Sequence, residues 1–183
     1  HYQALRARAL LTNVLADVAG DEWRVADRLA LVRETQRDWR TLATIDPTNS
    51  ISWNNLANAY SNAGGALADQ GRLRESVAER QRVREVEPAL RGRALPSNVM
   101  VLGYGLAAKT AAELGDFSTA RALLKDMNRH GAEWLKRRDA QTFDGAIEVS
   151  AMALFNRWIA QSLGDEAALR EADKTVRERL EPL

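Results

Sequence analysis

Four glycines divide the chain into segments of similar length, and this spacing is the feature that most limits the fold. Gly20, Gly71, Gly115 and Gly164 each follow an Ala-rich stretch, and they are separated by 51, 44 and 49 residues. Glycine tolerates the positive φ of the residue that ends a helix, so each is expected to lie in a turn between two helices. A repeat of this length is typical of stacked helical hairpins. The sequence therefore predicts a series of such hairpins.

The residues around the glycines support this register. Asp21, Asp116 and Asp165 follow three of them, and Asp suits the cap or first turn of the next helix. The positions four and eleven residues before each glycine lie on one helical face, and we expect that face to be packed. Those positions hold Ala16, Leu67, Ala111 and Ala160 in one column, and Ala9, Tyr60, Tyr104 and Ala153 in the other.

The whole chain reads as helix, with no alternating strand pattern. Asp46-Pro47 and Glu87-Pro88 are expected to end the second and fourth helices, because proline cannot continue a helix and restricts the residue before it. The predicted helices are Tyr2 to Val18, Glu22 to Ile45, Ser50 to Gln70, Leu73 to Val86, Ser97 to Leu114, Phe117 to Lys136, Asp144 to Leu163 and Glu166 to Leu180.

The third and fourth of these helices carry a specific residue pattern. Trp53, Leu56, Ala57 and Tyr60 follow the spacing W-x2-L-[GA]-x2-Y, and Gly71, Leu73, Ser76 and Pro88 follow at the matching distances. This segment resembles the tetratricopeptide repeat (TPR) family, and the likeness extends from about Thr35 to Met127. The first helix of the unit is longer by about seven residues, or roughly 10 Å, which keeps the same face inward. Expanded units of this kind resemble those of bacterial TPR-containing multidomain proteins.

The resemblance implies an all-α fold, a TPR-like right-handed solenoid of about four antiparallel helical hairpins. We expect a single repeat domain over residues 1–183, with hairpins at roughly 2–46, 49–88, 96–137 and 143–181, and we expect it to be part of a longer protein. The signature side chains are interpreted as core packing between helices. These are Trp53, Leu56, Tyr60, Tyr104 and Phe117.

A line of asparagines is the most informative polar feature. Asn54, Asn58 and Asn62 lie at i, i+4 and i+8, on a different face from the packed residues. Asn is a poor helix former, so its repeated use in one helix needs a reason. The corresponding first-helix positions of TPR proteins line the concave groove. An Asn amide carries donors and an acceptor, and it can therefore hold the backbone of an extended peptide.

Two residues of the later hairpins complete the candidate peptide-binding groove. The equivalent line on the next first helix includes Lys109, which adds a positive charge, and Trp158 falls on the groove side of its helix. The set of basic residues that binds a terminal carboxylate in some TPR domains is missing here. The alternative to a binding role is that the asparagine side chains are solvated or cap neighbouring loops.

The search for catalytic and cofactor chemistry is negative. The histidines are His1 at the terminus and His130, which we interpret as a helix-end or surface residue. Gly103, Gly105 and Ala108 imitate a dinucleotide fingerprint, yet the flanking segments read as helices rather than as the strands this motif requires. No Cys is present, so neither a disulfide nor a thiolate metal site can form. We predict no enzyme activity, no cofactor and no metal site.

The charge pattern argues against a nucleic-acid partner. The net charge is +1, which gives little attraction for a polyanion. Arg80, Arg82, Arg84, Arg91 and Arg93 cluster, but glutamates are interleaved with them. No stretch reaches the length of a membrane helix, so no membrane insertion is expected. We favour a soluble, cytoplasmic protein over a periplasmic one, although the lack of Cys leaves the compartment open.

The sequence therefore favours a scaffold or adaptor module that binds a protein or peptide through the concave face of its repeats. One alternative is a ligand-sensing regulatory domain of a larger bacterial signalling protein, for which an aromatic-lined pocket near Trp158 and Tyr104 would be the signature. Another is a structural spacer or dimerisation element, and a homo-oligomer is compatible with the sequence.

Overall fold

The computed structural model describes residues 1–22, 24–90, 98–136 and 143–180, and within these ranges every regular element is an α-helix. This confirms the all-α prediction for the described part of the chain. The helices are α1 (Tyr2–Asp21), α2 (Val25–Ile45), α3 (Ser50–Asp69), α4 (Leu73–Gln81), α5 (Val83–Leu90), α6 (Asn98–Glu113), α7 (Phe117–Leu135), α8 (Phe143–Leu163) and α9 (Glu166–Leu180).

The chain divides into two compact units, His1–Leu95 and Pro96–Leu183. In the first unit α1 packs on α2, α2 on α3, and α3 on both α4 and α5. In the second unit α6 packs on α7, α8 on α9, and α8 also on α6 and α7. Neighbouring helices thus pair as hairpins within each unit.

Three of the four predicted glycine turns are confirmed. Gly71, Gly115 and Gly164 have φ values of 72°, 75° and 65°. After each glycine the chain closes on the preceding helix in the same way, as at Gly115, where the N–H of Asp116 donates to the carbonyl of Ala111 at 2.9 Å. After Gly115 and Gly164 the next helix is capped by an Asp side chain: Asp116 Oδ1 accepts from Thr119 N at 3.1 Å, and Asp165 Oδ1 accepts from Ala168 N at 3.0 Å. The hydroxyl and backbone N–H of Thr119 lower the pKa of Asp116.

The predicted turn at Gly20 is wrong. Helix α1 continues through Gly20 to Asp21, and the turn closes later, where Arg24 N donates to Ala19 O at 2.8 Å. Gly20 instead lets the side chain of Arg28 on the next helix pack closely against α1. An ideal Cβ at Gly20 would lie 3.1 Å from Cδ of Arg28. Asp21 is therefore the last residue of α1 rather than a cap of α2, which begins at Val25.

The predicted packed columns are confirmed. Every residue that lies four or eleven positions before the glycines is at most 3% exposed: Ala16, Leu67, Ala111, Ala160, Ala9, Tyr60, Tyr104 and Ala153. Leu56 is buried as expected, and Trp53 is half-buried with its Nε1 donating to Pro47 O. Phe117 was expected in the core, but it begins α7 at the turn and is 39% exposed.

Three further predictions are corrected. His130 is buried rather than on the surface, because α7 continues past it and its ring stacks on Tyr104 with 5.4 Å between the ring centroids. The predicted helix Leu73 to Val86 is divided at Arg82, where Arg82 N and Glu85 N donate to carbonyls three residues back. Pro88 lies inside α5 instead of after it. Asp46-Pro47 does end the second helix, as predicted.

Some predicted boundaries lie outside the described residues, namely those at 96, 97, 137 and 181, and so do Arg91 and Arg93. Gly103, Gly105 and Ala108 all lie within α6, which agrees with the helical interpretation of this segment and leaves no strand for a dinucleotide fingerprint.

Candidate functional site

The first helices of the two hairpins in the first unit, α1 and α3, lie side by side. The hydroxyl of Tyr2 accepts from Nδ2 of Asn49 at 2.7 Å, which joins the start of α1 to the cap of α3. Further along, Asn62 Nδ2 lies 3.5 Å from Asn13 Oδ1. The outward faces of the two helices are therefore neighbours, and the predicted asparagines lie on α3.

The three predicted asparagines differ in what they offer to a ligand. Asn58 is exposed, and no described residue hydrogen-bonds its amide. Asn62 is half-buried and weakly tied to Asn13. The Oδ1 atom of Asn54 is shielded from solvent and has no hydrogen-bond partner among the described residues. The accessible donors and acceptors of this line thus belong mainly to Asn58 and Asn62.

Asn55, one position away, behaves differently. Its Nδ2 donates to Ile51 O at 2.9 Å, within the same helix. Its amide is thus engaged with its own backbone, a local bond that Asn readily forms. Asn55 is for this reason a natural control for the line of Asn54, Asn58 and Asn62.

Sequence reasoning missed an apolar surface on α1. Five large aliphatic side chains lie on the face opposite the buried Ala9 and Ala16, and each is between 41% and 61% exposed. We call this surface the α1 strip, and it consists of Leu10, Leu11, Val14, Leu15 and Val18. The spacing by one, three and four residues could have revealed it, since α1 is apolar on two opposite faces. Contiguous exposed apolar side chains of this kind are typical of interaction surfaces.

In the second unit, the predicted residues Lys109 and Trp158 lie next to each other. Lys109 Nζ is 4.9 Å from the centroid of the Trp158 ring, so α6 and α8 are joined by a cation–π contact. Lys109 also forms an ion pair with Glu113. The positive charge that was expected in the groove is therefore already compensated within this unit, while Trp158 remains half-buried.

The basic cluster on α4 and α5 is held by carboxylates. Arg82 Nε donates to Glu85 Oε1 at 2.8 Å, and Arg82 Nη1 lies 3.1 Å from Oε1 of the buried Glu79. The hydroxyl of Tyr60 donates to Glu85 Oε2 at 2.9 Å. The hydrogen bond from Arg82 lowers the pKa of Glu85, and burial raises the pKa of Tyr60. These groups connect α3 to α4 and α5, so they serve the packing of the unit.

A cleft of about 520 Å³ lies between α7, α8 and α9 in the second unit. Its apolar lining includes Leu124, Ile159 and Leu163. Its polar lining includes Arg121, Asp165 and Glu171. It also includes an amide pair, in which Asn128 Nδ2 donates to Asn156 Oδ1 at 3.0 Å and Asn156 Nδ2 donates to Asn128 Oδ1 at 2.9 Å. The lining is aliphatic and polar. The cleft is therefore a different site from the aromatic pocket near Trp158 and Tyr104 that the sequence suggested.

Two searches of the described residues bear on other classes of function. No group of three His, Cys, Asp or Glu side chains in the described ranges could hold a metal ion. Of the helices in the described ranges, none combines the length and the apolar character that crossing a membrane requires.

Comparison with known proteins places one repeat in a family. Residues 39–76 match the family model described as tetratricopeptide repeat. The matched range runs from the second half of α2 into α4 and contains Asn54, Asn58 and Asn62, so the resemblance is confirmed for that repeat. Neither a curated protein nor a solved structure matches the chain significantly. Tetratricopeptide repeats generally mediate protein–protein interaction and are non-catalytic scaffolds.

Proposed function

We propose that this chain is a protein-interaction module that holds a peptide or protein segment on the outward face of α3, with Asn58 and Asn62 as the principal contacts. The observation that carries the proposal is the Asn58 amide, which is exposed and bonded to no described residue. It lies in a helix where Asn is costly and inside the matched tetratricopeptide repeat.

The chemistry of recognition follows from the amide group. Each Asn side chain has an acceptor oxygen and two N–H donors, and can bond both the N–H and the C=O of a peptide unit. Successive amides at i and i+4 lie about 6 Å apart along the helix, close to the length of two residues of an extended peptide. Such contacts recognise the peptide backbone and depend little on the identity of its side chains.

The other predicted groove residues take smaller parts in this proposal. The oxygen of Asn54 is shielded from solvent, so its contribution to a ligand is limited to its donors. In the second unit Lys109 is paired with Glu113 and its ammonium lies over the Trp158 ring, so no contact with the peptide on α3 is assigned to these two residues. No role in catalysis is proposed for any of these groups.

The proposal is tested with peptides selected from a random displayed library on the wild-type protein. Replacing Asn54, Asn58 and Asn62 together by Ala should weaken the affinity of the selected peptides by at least about tenfold, since several hydrogen bonds of roughly 1 kcal/mol each are lost. Circular dichroism should show helicity that is unchanged or raised, because Ala is the better helix former.

Asn55→Ala is the matched control, because its amide bonds Ile51 O and should not contact the peptide. Peptide affinity that is unchanged in the triple variant would refute the site. A library that yields no binder to the folded protein would count against peptide binding altogether.

A second candidate function is supported by the cleft between α7, α8 and α9. A volume of about 520 Å³, lined by apolar side chains, an amide pair and the charged residues Arg121, Asp165 and Glu171, suits a small molecule with an apolar body and polar groups at its edge. Ligand sensing predicts a rise in melting temperature with members of a metabolite panel and none with peptides. Replacing Ala168, which lines the cleft and is exposed, by Phe should abolish that rise without disturbing the packed core.

A further inference from the structure

The α1 strip lacks a partner in the described structure, and the charges around it indicate what would cover it. Arg6 lies before the strip, and Asp17 and Asp21 lie at its far end. None of these three side chains forms an ion pair with a described residue. Arg8 on the same helix is different, since its Nε donates to Asp38 Oδ2 at 2.7 Å. The strip is thus flanked by opposite charges that remain uncompensated.

The acidic end of the strip is also a recess. A cavity of about 430 Å³ is lined by Asp17, Gly20, Asp21, Val25, Arg28 and Asp69. Arg28 and Asp69 form an ion pair with each other, which leaves the charges of Asp17 and Asp21 to set the sign of the recess. The C-terminal end of a helix dipole adds to the negative potential there. A guanidinium group is a suitable occupant.

We propose that the α1 strip is a self-association surface on which α1 packs antiparallel against α1 of a second copy of this chain. The midpoint between Arg6 and Asp21 falls between Asn13 and Val14, and the midpoint of the strip from Leu10 to Val18 is Val14. One two-fold axis near Val14 therefore brings the two strips together. It also sets Arg6 opposite the acidic recess of the second copy, twice in the dimer.

The spacing of the strip fits a helix better than it fits other occupants. Side chains at i, i+1, i+4, i+5 and i+8 form the ridge that packs into a facing helix. A parallel pair would bring Arg6 next to Arg6 and Asp21 next to Asp21, which repel. An anionic membrane surface prefers a polar face rich in Lys and Arg, whereas this strip ends at two aspartates.

The first test is the mass of the full chain in solution. Sedimentation velocity over a range of concentrations should show a species of twice 20.3 kDa. Replacing Leu11 and Val14 together by Glu should give a monomer with unchanged helicity, because both side chains are already exposed in the single chain. The control is Leu154→Glu, which changes an exposed Leu outside the strip and should leave the dimer intact.

The second test determines whether the two α1 helices of the dimer are antiparallel. Arg6→Glu and Asp21→Arg should each weaken dimerisation roughly tenfold, because each places like charges opposite one another twice. An equimolar mixture of the two single variants should associate again, since every facing pair is then of opposite sign. The double variant should also recover the wild-type dimerisation constant.

Three results in solution would overturn the inference: a monomer at all concentrations, a dimer insensitive to the Leu11 and Val14 substitutions, or single charge variants whose mixture does not recover. Sedimentation of the monomer with anionic phospholipid vesicles would point to a lipid surface instead and would also overturn it. The inference is independent of the peptide proposal. A monomer that still binds peptides through Asn58 would refute the self-association and leave the peptide proposal intact.

Discussion

Phe155 of α8 packs directly against the backbone of α6 at Gly105. An ideal Cβ at Gly105 would lie 2.5 Å from Cδ2 of Phe155 and 3.0 Å from Sδ of Met127. The two first helices of the second unit approach this closely only because residue 105 has no side chain. Gly105 is therefore a packing residue of the α6–α8 contact.

Gly105→Ala should consequently destabilise the protein by about 1–3 kcal/mol, because an added methyl group in a filled contact forces the ring of Phe155 to move. The free energy of unfolding from urea titrations measures this. The double variant with Phe155→Leu should recover part of the loss, since the smaller side chain vacates the position of the ring. A neutral Gly105→Ala would mean that α6 and α8 are farther apart than described.

The glycine turns allow a comparison of two glycines in one hairpin. Gly71 has φ of +72° and nothing within 4 Å of an added Cβ, so only backbone strain opposes a substitution there. Gly71→Val should cost more than about 1 kcal/mol, and Gly115→Val should do the same. Gly65 is helical, and its Cβ would meet only guanidinium nitrogens at 3.7 and 3.8 Å. Gly65→Ala should therefore stabilise by about 0.5–1 kcal/mol.

Thermal and urea unfolding of these variants distinguish the effect of backbone strain at Gly71 from the effect of an added side chain at Gly65. A Gly71→Val midpoint equal to or above that of the wild type would refute the positive φ of Gly71, and a Gly65→Ala midpoint below that of the wild type would refute the free space at Gly65.

The sequence predicted the fold well where local chemistry decides the structure. Small or aromatic residues before a glycine determine the packed face, and Tyr60 and Tyr104 are almost fully buried as expected. Gly20 shows the limit of this reasoning, because glycine permits both a turn and the close approach of a neighbour such as Arg28. Only the tertiary contact separates the two roles.

The candidate site was less predictable. The helical period correctly separated Asn58 from the packed face, but it could not show that the oxygen of Asn54 is shielded or that Lys109 is neutralised by Glu113. Those facts depend on rotamers and on neighbouring helices. The α1 strip was missed because a helix with apolar residues on both faces is expected, from its sequence pattern alone, to be buried.

A buried serine is expected to matter more than an exposed one with the same type of bond. Ser76 is fully buried on α4, and its Oγ donates to the carbonyl of Gly64 on α3 at 2.6 Å. Ser76→Ala should cost about 1 kcal/mol of unfolding free energy, because the buried carbonyl loses a donor.

The control is Ser162→Ala on α8. The Ser162 Oγ donates to Trp158 O in the same helix at 2.9 Å and is exposed to solvent. That variant should stay within about 0.5 kcal/mol of the wild type in the same urea titration. Equal effects of the two substitutions would contradict the described contact between α3 and α4.

Acid should weaken the first unit through Glu85. The hydrogen bond from Arg82, helped by the hydroxyl of Tyr60, lowers the pKa of Glu85 below 4.5, although burial acts in the opposite direction. A carboxyl group whose folded pKa is lowered binds protons more weakly in the folded state than in the unfolded state. Its contribution to stability is therefore present above pH 4.5 and is lost as the pH falls through the folded pKa.

Urea midpoints measured from neutral pH to about pH 3 should accordingly fall at the acidic end, and Glu85→Gln should flatten that part of the profile while lowering the midpoint at neutral pH. Glu166→Gln removes an exposed carboxylate on α9 whose partner, Arg170, is equally exposed, and it should retain the wild-type profile. A Glu85→Gln profile parallel to that of the wild type would show that the bonds from Arg82 and Tyr60 do not stabilise the folded state.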